Sequence, residues 1–152
     1  MKNDIAKFAI AFFALSCGMA LEELLPKLSG AGFPFLLSFA IVFASRRKPL
    51  EGVLFAAAAG AAEDAASALP FAVSISFFVA AASIVRAFKI PVWYALPAHA
   101  LHQIWIWVWL GARLEGSIFN RILAAVPLGA AALWAVTAVV ARTDRRAAID
   151  ER

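Results

Sequence analysis

A single cysteine, Cys17, rules out an internal disulfide in this chain of 152 residues, so the fold does not depend on an oxidising compartment. Charge is scarce as well. Asp, Glu, Lys and Arg make up 16% of the residues, against about 25% in ordinary soluble domains. With 64% of the chain hydrophobic, too few polar side chains remain to clothe a soluble domain of this size. That argues against a soluble globular enzyme, a disordered segment and a disulfide-stapled secreted module. Catalytic signatures are missing too: there is no G-x-x-x-x-G-K-[ST] phosphate loop, no H-E-x-x-H, no G-x-S-x-G and no C-x-x-C. No fixed-period repeat occurs, and no linker is long enough to divide the chain. The class that remains is one integral membrane domain, residues 1–152, all-α; no residue constellation argues for catalysis, and no ligand cluster or phosphate loop calls for a metal or cofactor.

What the chain does have is apolar runs. A membrane helix takes roughly 20 apolar residues to cross about 30 Å of hydrocarbon, and the sequence offers six segments, at about 5–25, 33–45, 50–69, 71–88, 92–110 and 122–141. The first, preceded by Lys2 and Lys7, reads as an uncleaved helix ended by Pro26 and the Ser29–Gly30–Ala31–Gly32 run. The second is short, rising only about 20 Å at 1.5 Å per residue, and Arg46-Arg47-Lys48-Pro49 stops it. The third is rich in alanine and carries Glu51, Glu63 and Asp64. The fifth holds His99, His102 and four of the five tryptophans.

Orientation follows from the basic residues. With the N-terminus inside, the inner side receives Lys2, Lys7, Arg46, Arg47, Lys48, Arg86, Lys89, Arg142, Arg145, Arg146 and Arg152, eleven of the 14 Lys and Arg. The outer side receives Lys27, Arg113 and Arg121. This asymmetry alternates in phase across six segments and predicts a multi-pass protein of the cytoplasmic membrane with both termini in the cytoplasm. Arg46, Arg47, Lys48, Arg86 and Lys89 are its main topology-determining residues. The net charge of +4 is then a topology signal and calls for no nucleic acid, because the basic residues are scattered through short inner loops.

Segment three concentrates the candidate functional residues. Gly52, Ala56, Gly60, Asp64 and Ala68 recur every four residues and share one helix face. Small residues so spaced let two membrane helices approach closely. Asp64 lies on that stripe, and a carboxylate facing lipid near the bilayer centre costs at least about 2.5 kcal/mol, so the stripe predicts Asp64 between helices. Packing against a partner helix, simple hydration near the outer headgroups and an ion relay are the three readings open to it. Glu63 sits about 100° around the helix from Asp64. Ala72, Ser76 and Ala80 form a similar stripe in segment four and predict a close hairpin turned at Pro70. Glu22 and Glu23, with Glu63, read either as hydrated helix ends or as a docking patch for an extracytoplasmic segment of a partner. His99 and His102 share a face beside Gln103, a spacing able to hold a metal, but imidazoles also make ordinary interhelical hydrogen bonds. Trp105, Trp107 and Trp109 read as an outer interfacial belt.

The stretch Arg46–Arg86 resembles the bacterial rod shape-determining MreD family. That family's pattern is a basic-Pro stop, a glycine-bearing helix with G-x-x-x-D, five residues, then Pro-Leu-Gly opening the next helix. Arg46-Arg47-Lys48-Pro49-Leu50-Glu51-Gly52 matches the stop. Gly60, Asp64 and Pro70 match the rest at the family's offsets, while Phe71 and Ala72 stand where Leu and Gly are usual. Arg86 fits the basic end of the next helix, and Phe33-Pro34-Phe35 resembles the family's Pro-bearing start of helix two. The resemblance implies a non-enzymatic scaffold of the cell-elongation machinery, which builds lateral-wall peptidoglycan. It implies as partners MreC, MreB, RodA and a class B penicillin-binding protein. It further implies a compact six-helix bundle like the substrate-binding subunits of energy-coupling factor transporters. A small vitamin- or metabolite-binding transporter subunit is therefore the alternative function.

Overall fold

The computed structural model describes residues 12–13, 15–21, 24, 35–67, 70–110 and 118–150. Every regular element among them is helical, with no strand. Residues 15–21 are helical and belong to the first apolar run. The elements after it are α1 (Phe35–Arg46), α2 (Pro49–Ala66), α3 (Val73–Ala87), a 3-10 turn (Val92–Ala95), α4 (Pro97–Leu110) and α5 (Ile118–Asp150).

Helix α1 is the centre of the bundle. Leu36, Leu37, Ser38, Ala40, Ile41, Val42, Phe43 and Ala44 are all buried. With only Phe39 half-buried among Leu36–Ala44, the buried positions fall on nearly every face of the helix, and a helix apolar almost all round belongs inside. Helices α2 and α3 pack on one another and on α1, α5 also packs on α1, and α4 lies against α5 and α3. Phe43 stacks on Phe55 of α2 with centroids 4.3 Å apart, and Phe78, Ala82 and Val85 of α3 complete that side of the core.

Local chemistry sets the helix ends. Pro49 opens α2 at a position where its missing N–H costs nothing and its fixed φ suits the helix. Helix α3 is bracketed by the two residues other than glycine that adopt positive φ among the described residues, Ala72 (φ 73°) and Lys89 (φ 50°). At its C-terminus Ile90 N–H donates to Val85 O (2.9 Å) and Lys89 N–H to Arg86 O (3.1 Å). This is the left-handed closure that usually recruits glycine, with Pro91 following.

Several sequence boundaries are corrected. The fifth segment is not one helix: the 3-10 turn ends at Ala95, and α4 starts at Pro97. Proline lacks the N–H and crowds the preceding turn, which kinks or breaks a helix; at Pro97 the helix breaks, whereas α5 continues through Pro127. The sixth continues through the charged residues to Asp150, because Arg and Ala are among the strongest helix formers. The small stripe of segment four does not form the contact face: Ser76 and Ala80 are exposed, and the buried residues are Val73, Ser74, Phe78, Ala82 and Val85.

Ile122–Arg142 is the one stretch among the described residues both long and apolar enough to cross a membrane, judged by length and composition. Phe35–Arg46 and Val73–Ala87 are apolar but shorter. The outer surface of the bundle is itself apolar. Leu50 and Leu54 on α2, Ile84 on α3, Leu101, Val108 and Trp109 on α4, and Leu123, Trp134 and Val139 on α5 are all exposed.

Candidate functional site

The α2–α3 turn carries the densest buried polar chemistry among the described residues. Its geometry begins with Gly60. A β-carbon built there would lie 2.5 Å from Ile75 Cα, 2.6 Å from Ile75 N and 2.8 Å from the Ser74 carbonyl carbon. These are backbone atoms that cannot swing aside, so only glycine allows α2 and α3 this close. Gly52, two turns earlier, performs the same service against α1, where an added β-carbon would meet Ala44 Cα at 2.9 Å. The one stripe therefore meets two neighbours, α1 at its start and α3 at its end.

The close approach brings Asp64 to the start of α3. Asp64 is buried, with 4% of its surface exposed, and Ser74 N–H donates to its Oδ1 at 2.7 Å. Ser74 is the second residue of α3, where a backbone N–H has no partner within the helix. The residue that usually supplies the acceptor is the N-cap. Here that residue is Ala72, which has no side-chain oxygen. Asp64 supplies it from ten residues upstream, and its charge also complements the positive end of the helix dipole. Asp64 Oδ2 and Ser74 Oγ are buried without a hydrogen-bond partner among the described residues.

Helix α4 closes over this junction. His102, 1% exposed, sets Nε2 3.7 Å from Glu63 Oε1. Its ring packs on Phe77 (4.9 Å) and, edge-on, on Phe78 (5.2 Å). Trp105 Nε1 donates to Val73 O at 2.9 Å, tying α4 to the first residue of α3. One turn before His102, His99 is fully buried and shares a 2.9 Å hydrogen bond between its Nε2 and Ser38 Oγ of α1. Helix α5 reaches His99 through Gly129, where a β-carbon would stand 2.6 Å from the imidazole Cγ. His99 thus ties the start of α4 to α1 and meets α5, while His102 Nε2 lies near Glu63 of α2 without a hydrogen bond among the described residues.

The remaining sequence candidates divide into groups. Pro70 is exposed in the turn. Arg47 lies over the Phe43 ring at 5.3 Å, and Lys48 is the exposed residue that precedes α2. Arg86 donates through Nη1 to Ala44 O (3.0 Å) and to Arg47 O, satisfying carbonyls at the end of α1. Glu22 and Glu23 lie outside the described residues. Trp107 and Trp109 are exposed while Trp105 is half-buried, so the tryptophans divide between surface and core. Among the described residues no group of three or more His, Cys, Asp or Glu is placed to hold a metal ion.

No family model, curated protein or solved structure matches the chain. The junction therefore has to be interpreted from its own chemistry. Its parts are a carboxylate spent on a backbone N–H, a histidine against a glutamate, and an indole bound to a carbonyl. These contacts join helix ends, and the buried Ser38 Oγ–His99 Nε2 pair, 2.9 Å apart, joins α1 to the start of α4. Reading the sequence did not single out Ser38, Gly129 or the helix-start position of Ser74. Ser38, a lone hydroxyl inside an apolar run, is the one with a visible signal.

Proposed function

We propose that the chain is a non-enzymatic scaffold of the bacterial cell-elongation machinery, working in the synthesis of lateral-wall peptidoglycan and the upkeep of rod shape, as the resemblance to MreD implies. It crosses the inner membrane six times with both termini in the cytoplasm. Its partners are the bilayer and the membrane proteins of the elongation complex: MreC, MreB, RodA and a class B penicillin-binding protein. The membrane placement is supported by the large apolar side chains exposed on α2, α3, α4 and α5, which a lipid surround would cover.

The observation that carries the reading is the Asp64–Ser74 hydrogen bond above Gly60. The residues behind the resemblance form one physical device: the glycine permits contact, the aspartate starts the next helix, and the turn contains Pro70. Ala72 adds to this. It stands where the family carries glycine, and its φ of 73° is the backbone geometry glycine serves best. A device that uses its polar groups to join helices suits a scaffold, whose task is to hold a shape and present surfaces.

The transporter alternative rests on a different observation. Asp64 Oδ2, Ser74 Oγ and His102 Nε2 are buried without hydrogen-bond partners among the described residues, and spare polar atoms of this kind could meet a small polar substrate. Depletion in the native host separates the two. Rounding and widening of rods supports the scaffold. Vitamin auxotrophy in cells of normal shape refutes it and favours transport.

A further inference from the structure

The opposite end of α3 carries a second cluster. Ser45, Arg46, Arg47, Val85, Arg86, Lys89 and Ile90 line one cleft between the α1–α2 turn and the end of α3. Four of the seven are cationic and none is acidic. The sequence spaces these cations some forty residues apart as two basic stops, and the fold converges them. Two features make the cleft more than a charged loop. Arg86 is anchored, its Nη1 held by two backbone carbonyls. Lys89 is exposed on the left-handed closure of α3, its backbone N–H held by Arg86 O. Half-buried Ile90 adds an aliphatic wall beside the charges, with the core residue Val85 behind it.

We propose that this cleft binds the phosphate headgroup of an anionic phospholipid of the inner leaflet. The inference rests on the membrane placement proposed above and not on the elongation role. In that placement the cleft lies at the cytoplasmic headgroup level, where basic pockets between helix ends take up lipid phosphates. Arginines match phosphate oxygens in paired geometry, and a lysine adds a compact point charge. The aliphatic wall suits the glycerol and upper acyl carbons of a lipid and has no use for a free inorganic ion.

The test uses the full chain purified in mild detergent and mixed with phosphatidylcholine containing a minor fraction of phosphatidylglycerol. Retained lipid is counted by native mass spectrometry. Lys89→Asn removes the cleft charge, and asparagine is well suited to the left-handed backbone there. Lys48→Gln removes the same charge from the same inner face but outside the cleft. The wild type retains phosphatidylglycerol over phosphatidylcholine. Lys89→Asn retains it about fivefold less, the equivalent of about 1 kcal/mol for one basic residue at the membrane surface. Lys48→Gln retains it as the wild type does. Equal retention by all three chains overturns the proposal, as does an equal loss in both variants, which would mark diffuse charge. Displacement of the lipid by glycerol phosphate at matching concentration overturns the lipid assignment in favour of a soluble phosphate. Recovery of the chain in the soluble fraction without detergent overturns the membrane placement itself and is read before any lipid is added.

Discussion

Replacing Gly60 with alanine sets two effects of opposite sign against each other. Alanine is the better helix former by about 1 kcal/mol, so on an isolated helix the change stabilises. In the bundle the new methyl would sit 2.5 Å from Ile75 Cα, whereas carbon atoms rest at about 3.5–4.0 Å. Helices α2 and α3 must therefore part by about 1 Å or more at this point. A radial gap of 0.5–1 Å already forfeits a quarter to a half of each contact it opens, and overpacking of this kind costs about 1–3 kcal/mol. Parting the helices also lengthens the 2.7 Å Asp64–Ser74 bond one turn away. The clash wins, and the net expectation is destabilisation by about 1–2 kcal/mol. Gly52→Ala supplies the internal comparison. Its methyl would meet Ala44 Cα at 2.9 Å, a milder intrusion, so its loss is the smaller of the two. Gly60→Leu, with a whole side chain to place, is the worst of the three. Thermal melting followed by far-UV circular dichroism in mild detergent ranks the variants. If Gly60→Ala melts at or above the wild-type temperature, the close-contact reasoning is wrong.

Four further outcomes follow from the same geometry. Asp64→Asn keeps an acceptor for Ser74 N–H and loses only charge, so the melting measurement registers a small loss, near the average of about 0.6 kcal/mol for intramembrane hydrogen bonds; loss of function in a well-folded Asn variant makes the charge itself the functional feature. Ala72→Gly relieves a left-handed alanine worth about 1–2 kcal/mol against about 0.4–1 kcal/mol of added unfolded-state entropy, so it raises the melting temperature, and a fall refutes the assignment of strain. A reporter fused after Arg152 is active in its cytoplasmic form only; periplasmic activity there overturns the six-crossing topology. Elemental analysis of the purified protein finds no stoichiometric zinc, and zinc lost on changing His99 and His102 to alanine would contradict the structural role given to them.

The helical character was legible because apolar runs of this length have few other outcomes, and the small stripe of α2 was legible because a four-residue recurrence names a helix face. The stripe of segment four misled for an instructive reason. Recurrence at Ala72, Ser76 and Ala80 says that a face is small, not that it is turned inward. Burial of Phe78 and Val85 won because those side chains remove more apolar area than alanine can. The break before α4 was written in Pro97 and was hidden by the apolar residues around it. Asp64 could be foreseen between helices from the cost of its charge. Its partner could not, because a backbone N–H leaves no signature in sequence. The pairing of Ser38 with His99 spans 61 residues and depends on how the fold brings the start of α4 beside α1, which local pattern does not encode.

The enclosure of α1 bears on how the molecule is made. Chains emerge N-terminus first during synthesis, so this segment is finished before any of the four helices that follow it exists. Its final neighbours on α2, α3 and α5 are still to come, and at 12 residues it is too short to claim a stable transmembrane position alone. Its lodging is therefore decided late, when the α2–α3 hairpin locks at Gly60 and Asp64 and α5 arrives to close the remaining side. A stall in synthesis before Gly129 would leave the α5-facing side of this most enclosed helix uncovered.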